Sequence, residues 1–168
     1  MIDQMLIQNC GATFSPCRTW RYHLWRRWDW NTDGPLVGWI LLNPSTAAEM
    51  ANDPTINRCV RFAKDWGYAG LHIYNLFAFR ATHPKNMKAA ADPVGPQNDH
   101  VISTRTKECR ELVVGWGMDG SFQGRASAVA QMLGNVPLLC LGTNSDGSPT
   151  HPLYVPANKR LEAWSLAG

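Results

Sequence analysis

The chain has no run of the roughly 18 consecutive apolar residues that a membrane-spanning helix requires. Its first residues, Met1-Ile2-Asp3-Gln4, lack the basic and apolar regions of a secretory signal. Repeats, heptads, low-complexity tracts and internal linkers are also missing, so a single domain over residues 1–168 is expected. Charged residues make up only 17% of the chain and apolar residues 45%, which argues against disorder. The five cysteines, Cys10, Cys17, Cys59, Cys109 and Cys140, are odd in number and lack C-x-x-C spacing. That weighs against a disulfide framework and against zinc or iron–sulfur ligation, and suits reduced thiols in a cytoplasmic protein. The histidines (His23, His72, His83, His100 and His151) contain no H-x-x-x-H pair, so neither a metal nor a cofactor is expected. Ser45 follows a strand but has no G-x-S-x-G elbow around it, which sets serine hydrolysis aside.

Net charge is scarce as well, at +3, but it is concentrated. Between residues 18 and 30 lie Arg18, Arg21, Arg26 and Arg27 against Asp29 alone, so this stretch carries the whole excess. Trp20, Tyr22, Trp25, Trp28 and Trp30 are interleaved with them. Cations alternating with aromatic faces suit phosphates and unstacked bases. The same pattern suits an edge strand with its aromatics on the core and its arginines in water.

Alternation and turn signals give the organisation. The arm from 13 to 30 reads as extended, a hairpin or edge strand, and Asn31-Thr32-Asp33-Gly34-Pro35 is a dense turn signal. Leu36–Leu42 is an unbroken apolar run of strand length, as in a strand covered on both faces. Asp53 and Pro54 open a helix with Ile56, Cys59, Val60 and Ala63 on one stripe, closed by Gly67. Leu71–Leu76 is a second strand, Asn98–Arg110 a helix and Glu111–Trp116 a third strand. A helix capped by Ser121 and a fourth strand at Val136–Leu141 follow, and Asn158–Leu166 reads as a closing helix. Strands alternating with helices predict an α/β fold. The expected form is a three-layer α/β/α sandwich around a mainly parallel four-stranded sheet, with its core at 36–156 and the amino-terminal arm beside it.

Ligands of such sheets bind beyond the carboxyl ends of the strands. Polar residues cluster at those ends: Asn43 after the first strand, Asn75 ending the second, Trp116-Gly117 after the third and His151 beyond the fourth. Gly115-Trp116-Gly117-Met118-Asp119-Gly120 matches G-x-G-x-x-G, but it follows the third strand and lacks a well-placed acidic partner. It reads as a glycine-rich strand exit rather than a dinucleotide site.

The motif Leu41-Leu42-Asn43-Pro44-Ser45 at the end of the first buried strand resembles the first active-site motif of the mismatch-specific branch of the uracil-DNA glycosylase superfamily. His151-Pro152 is similar to that superfamily's final His-Pro motif, and Asn75 in Tyr74-Asn75-Leu76 resembles the asparagine that reads the flipped base. A serine after His-Pro and a glycine after Asn-Pro, usual there, are missing here, which leaves the substrate open. The fuller pattern also resembles a bacterial and phage family known only as a domain of unknown function. Its landmarks are Tyr22, Asn43-Pro44-Ser45, Asp53-Pro54-Thr55, Asn75-Leu76-Phe77-Ala78, Arg80-Ala81-Thr82 and His151-Pro152-Leu153-Tyr154.

The resemblance implies a monofunctional DNA glycosylase in the bacterial nucleoid or an infected cell, with DNA, single- or double-stranded, as partner and a monomer favoured. Asn43 and His151 would be catalytic, since a neutral histidine can donate to a departing base and an amide carbonyl can hold a water. Asn75, Phe77, Phe79 and Trp116 would contact the base. Arg18, Arg21, Arg26, Arg27 and Arg80 would meet the DNA, with Leu153 and Tyr154 as the wedge that fills the vacated stack. A non-catalytic module that binds a nucleotide or modified DNA, and a hydrolase of free nucleosides, are the alternatives.

Overall fold

The structure is a computed structural model, and residues 9–29, 33–46 and 51–166 are described. Seven strands form one sheet: β1 (Cys10–Phe14), β2 (Arg21–Arg27), β3 (Leu36–Leu41), β4 (Gly70–Asn75), β5 (Glu111–Val114), β6 (Leu138–Cys140) and β7 (Glu162–Trp164). Their order is β1-β2-β4-β3-β5-β6-β7. The four central strands, β4, β3, β5 and β6, are mutually parallel and correspond to the four read from the apolar runs. The fold is α/β as expected, but the sheet is wider, because an antiparallel hairpin joins one edge and β7 the other.

Helices cover both faces. On one, α1 (Pro54–Asp65) lays Ile56, Cys59, Phe62 and Ala63 against Trp39, Leu71, Ile73 and Val113. Burial of each such apolar side chain contributes about 1.5–3 kcal/mol, so this stripe alone fixes the helix on the sheet. Asp53 caps it, accepting from the Ile56 N–H at 2.8 Å, and Gly67, at φ +84°, turns the chain out of it. On the other face the short α2 (Pro84–Lys88), α3 (Asn98–Arg105) and α4 (Arg125–Leu133) enclose Tyr74, Leu76, Phe77, Met87, Ile102 and Val129. Among the described residues no helix is long and apolar enough to cross a membrane.

Two expectations are corrected and one is refined. The expected amino-terminal hairpin is present as β1 and β2, and β2 joins it to the sheet through β4. β1 is the edge strand, whereas β2 is hydrogen-bonded on both sides and mostly buried, with Tyr22 packed inward and its one tryptophan, Trp25, half-buried. Trp30 lies outside the described residues. The tail is not a closing helix, because residues 162–164 form β7 antiparallel to β6. That strand satisfies backbone groups that β6 would otherwise leave open at the sheet edge. Trp164 anchors it, edge-on to Trp116 with ring centroids 5.1 Å apart and its indole N–H on the Gly147 carbonyl. Finally, Ser121 does not cap α4. The chain runs through a kinked 3₁₀ segment, Met118–Gly124, and Gly124 at φ +64° precedes the helix.

Candidate functional site

β3 sits between β4 and β5, so the chain leaves it toward one neighbour and later returns on its other side. This is the switch point at which α/β sheets open a crevice. A cleft of about 340 Å³ lies there, lined among others by Arg21, Asn43, Asp53, Asn75, Trp116 and His151. The expected convergence of Asn43, Asn75 and His151 is therefore present in the geometry.

Each of the three is held by its surroundings. Asn43 donates from Nδ2 to the carbonyls of Ala81 (2.9 Å) and Pro44 (3.1 Å), which leaves its Oδ1 as the acceptor. The Ala81 N–H returns a bond to the Pro44 carbonyl, so the exits of β3 and β4 are laced together. Asn75 is 2% exposed, and its Nδ2 has no hydrogen-bond partner among the described residues. Two residues that the linear pattern missed fix its backbone. Asn98 donates to the Asn75 and Leu76 carbonyls, and Arg125 donates to the Leu76 carbonyl at 2.7 Å. Their signal in the sequence was weak, since a polar residue at a helix start or mid-helix is ordinarily solvated.

His151 is half-buried, and its Nδ1 accepts from the Leu153 N–H at 3.2 Å. The neutral ring therefore carries its proton on Nε2. Burial lowers its pKa from the ordinary histidine value, with the Asp53 charge acting in the opposite direction. Arg58 of α1 steadies the segment through the Pro152 carbonyl (3.3 Å) and the Val155 carbonyl. Gly115 permits the approach, since an added Cβ would lie 3.2 Å from Pro152 Cδ. Leu153 (42% exposed) and Tyr154 (81%) stand at the rim, large apolar groups turned to solvent.

Asp53, which reads in the sequence as a helix cap and as one of the family landmarks, is a further cleft residue. Its Oδ2 accepts from the Ser45 hydroxyl at 2.5 Å, while Oδ1 serves the cap. Asp119 also lines the cleft and pairs with Lys88 at 2.6 Å. Among the described residues no cluster of His, Cys, Asp or Glu could hold a metal.

Other expected site residues lie elsewhere. Phe77 is fully buried under the helices, tilted against Phe122 at 5.7 Å, and Phe79 bridges to Trp20, so neither walls the cleft. Side-chain alternation ends with β4 at Asn75, and Leu76 and Phe77 both turn to the same core. Of the aromatics expected to contact the base, Trp116 lines the cleft.

The four arginines do not form one face. Arg26 is buried and spends its guanidinium on the carbonyls of Trp25, Gly11 and Ala51 and on Asn52 Oδ1. Arg27 pairs with Gly70, the first residue of β4, and so lies at the opposite end of the sheet from Asn75, about 17 Å away at strand spacing. Arg18 is exposed over the Phe14 ring (4.0 Å), and Arg80 lies over the same ring while donating to the Arg18 and Thr46 carbonyls. Arg21 has gone inside. Thr13 pairs with His23 but Phe14 with Arg21, so Tyr22 is a bulge residue, and the bulge resets which way Arg21 faces. It lines the cleft at 2% exposure, apart from the exposed Arg18.

No curated protein and no solved structure matches the chain. A family model described as "Protein of unknown function (DUF1643)" matches residues 21–153, a span that begins with Arg21 and ends just beyond His151, and the chain belongs to that family.

Proposed function

We propose that the chain is a DNA glycosylase of the uracil-DNA glycosylase superfamily type, which flips a uracil or an altered base into this cleft and hydrolyses its bond to deoxyribose. One observation carries the reading. Asn43, Asn75 and His151 meet in a cleft at the ends of parallel strands, with His151 bonded so that a neutral Nε2–H remains to donate.

When the bond between C1′ and the base nitrogen breaks, its electron pair goes to the base, and positive charge develops on the sugar. A donor placed at a base oxygen stabilises that departing anion, the role given to His151. The free Oδ1 of Asn43 orients a water, whose oxygen bonds to C1′ while its proton passes to solvent. Asn75 reads an edge of the base. Leu153 and Tyr154 at the rim are placed to enter the stack that the base leaves. Arg18 and Arg80, on the flank joined to Thr46, are the arginines best placed to meet a phosphate.

A second reading is a binding module for a nucleotide or modified DNA. The cleft carboxylates favour it, since Asp53 is occupied by Ser45 and the helix cap, and Asp119 by Lys88, so neither is free as a base. Incubation with oligonucleotides bearing a panel of altered bases, followed by a test for abasic sites, decides between them. Abasic sites from any substrate support the glycosylase. Tight binding with no cleavage supports the module.

A further inference from the structure

The Arg21 guanidinium lines the cleft, and among the described residues its Nε and Nη1 have no hydrogen-bond partner. A cation removed from water without a counter-ion is among the costliest arrangements in a folded chain. Burial draws its pKa down to about 10, which still leaves it charged at neutral pH. Its electrostatic neighbours do not compensate. Arg80 and Arg26 oppose the charge, and Asp53 alone favours it, without forming an ion pair with it among the described residues. A second donor, Asn75 Nδ2, lies in the same cleft and is also unpartnered among the described residues. Arginine has donors only, so whatever completes this arrangement brings acceptors.

We propose that the cleft floor is an anion subsite, in which Arg21, assisted by Asn75, takes a negatively charged oxygen group of the ligand. On the glycosylase reading, on which this refinement rests, the group is an acidic substituent of the flipped base. The same chemistry could come from a nucleotide phosphate. A charge-assisted hydrogen bond in a dry site gives such a group roughly tenfold or greater preference over a neutral analogue.

The test is binding to the intact chain, followed by NMR or calorimetry, with 5-carboxyuracil, uracil and inorganic phosphate as probes. In the wild type, 5-carboxyuracil or phosphate binds at least about tenfold more tightly than uracil. Arg21→Met removes that preference while leaving the fold as stable or more so, because replacing an unpaired buried charge by an apolar chain relieves strain. Arg21→Lys, which keeps the charge, retains part of the preference. The two sources separate by which probe responds. Equal binding of charged and neutral probes, no binding of any probe at millimolar concentration, an unchanged preference in Arg21→Met, or unfolding of that variant would each overturn the proposal. Cleavage of an altered base with Arg21→Met unaffected would sink the subsite and keep the glycosylase. Arg21-dependent phosphate binding without any cleavage would do the reverse.

Discussion

The backbone N–H of Leu153 donates to Nδ1 of His151 across 3.2 Å, so the turn that carries the imidazole also decides which nitrogen holds its proton. With Nδ1 occupied as an acceptor, Nε2–H is the donor left for the cleft. Nitrogen NMR should therefore report the Nε2–H tautomer, titrating below the range of a free histidine because burial disfavours the charged ring. On the proposed function, His151→Ala slows single-turnover cleavage about a hundredfold or more while DNA binding changes little. A wild-type rate would remove His151 from the chemistry.

Asn43 and Ala81 yield a less intuitive expectation. The Asn43 amide is a donor to two carbonyls, so Asn43→Asp sets a carboxylate against two acceptors. The substitution should cost about 1–3 kcal/mol of stability, and it should not raise activity even though it supplies a stronger base. Urea melts and single-turnover rates measure both. An Asp variant that is as stable as wild type and faster would show that the amide orientation is misassigned.

Asn75→Leu should be close to neutral for stability, since the amide nitrogen it removes has no partner to lose among the described residues. Base or nucleotide binding to the cleft should drop about tenfold or more in the same variant, as expected for a lost hydrogen bond in a buried pocket. Thermal melts with and without ligand separate the two effects. A large loss of stability in the free protein would make Asn75 a packing residue.

Arg58 does its work through the segment it holds. Removing its side chain frees the carbonyls of Pro152 and Val155, so Arg58→Ala should cost about 1–3 kcal/mol and lower cleavage by loosening His151. Arg58→Lys should recover little, because one ammonium does not span two carbonyls from a fixed fork. Full recovery by lysine would show that charge, and not geometry, is what the site requires.

On the far face of β2 and β4, His23 Nε2 and His72 Nδ1 are 2.6 Å apart, stacked and buried, so at most one proton lies between them. Burial above all, with the charge of His72 as a second cause for His23 and that of Arg105 for His72, holds both below the ordinary histidine range. The unfolded chain takes up protons near pH 6.5, while the folded chain resists until well below it. Stability from this pair is therefore complete above about pH 6.5 and falls as the pH drops, by up to about 1.4 kcal/mol per pH unit for each histidine. Denaturant melts between pH 7.5 and pH 5 measure the slope, which should decrease in His23→Phe. An unchanged slope in that variant would place the acid sensitivity elsewhere.

The linear order of residues determined the four parallel strands and the polar positions at their ends. A strand buried on both faces must be an apolar run, and the residue that ends it is the first that can afford polarity, so Leu36–Leu41 followed by Asn43 is legible locally. The α1 boundaries were legible for the same kind of reason, since Asp53, Pro54 and Gly67 act through their own backbone. Only the tertiary structure decided the neighbours of each segment. The alternating cations and aromatics of β2 fit a solvated edge equally well, and pairing with β4 on one side and β1 on the other is what buried them. Residues 162–164 became a strand because β6 was left with an open edge, which no property of those residues announces. Arg21 looked like its three companions, and a bulge at Tyr22, set by the register against β1, turned it into the cleft. Side-chain direction alternates with a period of two, so one extra residue in a pairing that the chain makes with a distant segment reverses which face a residue serves.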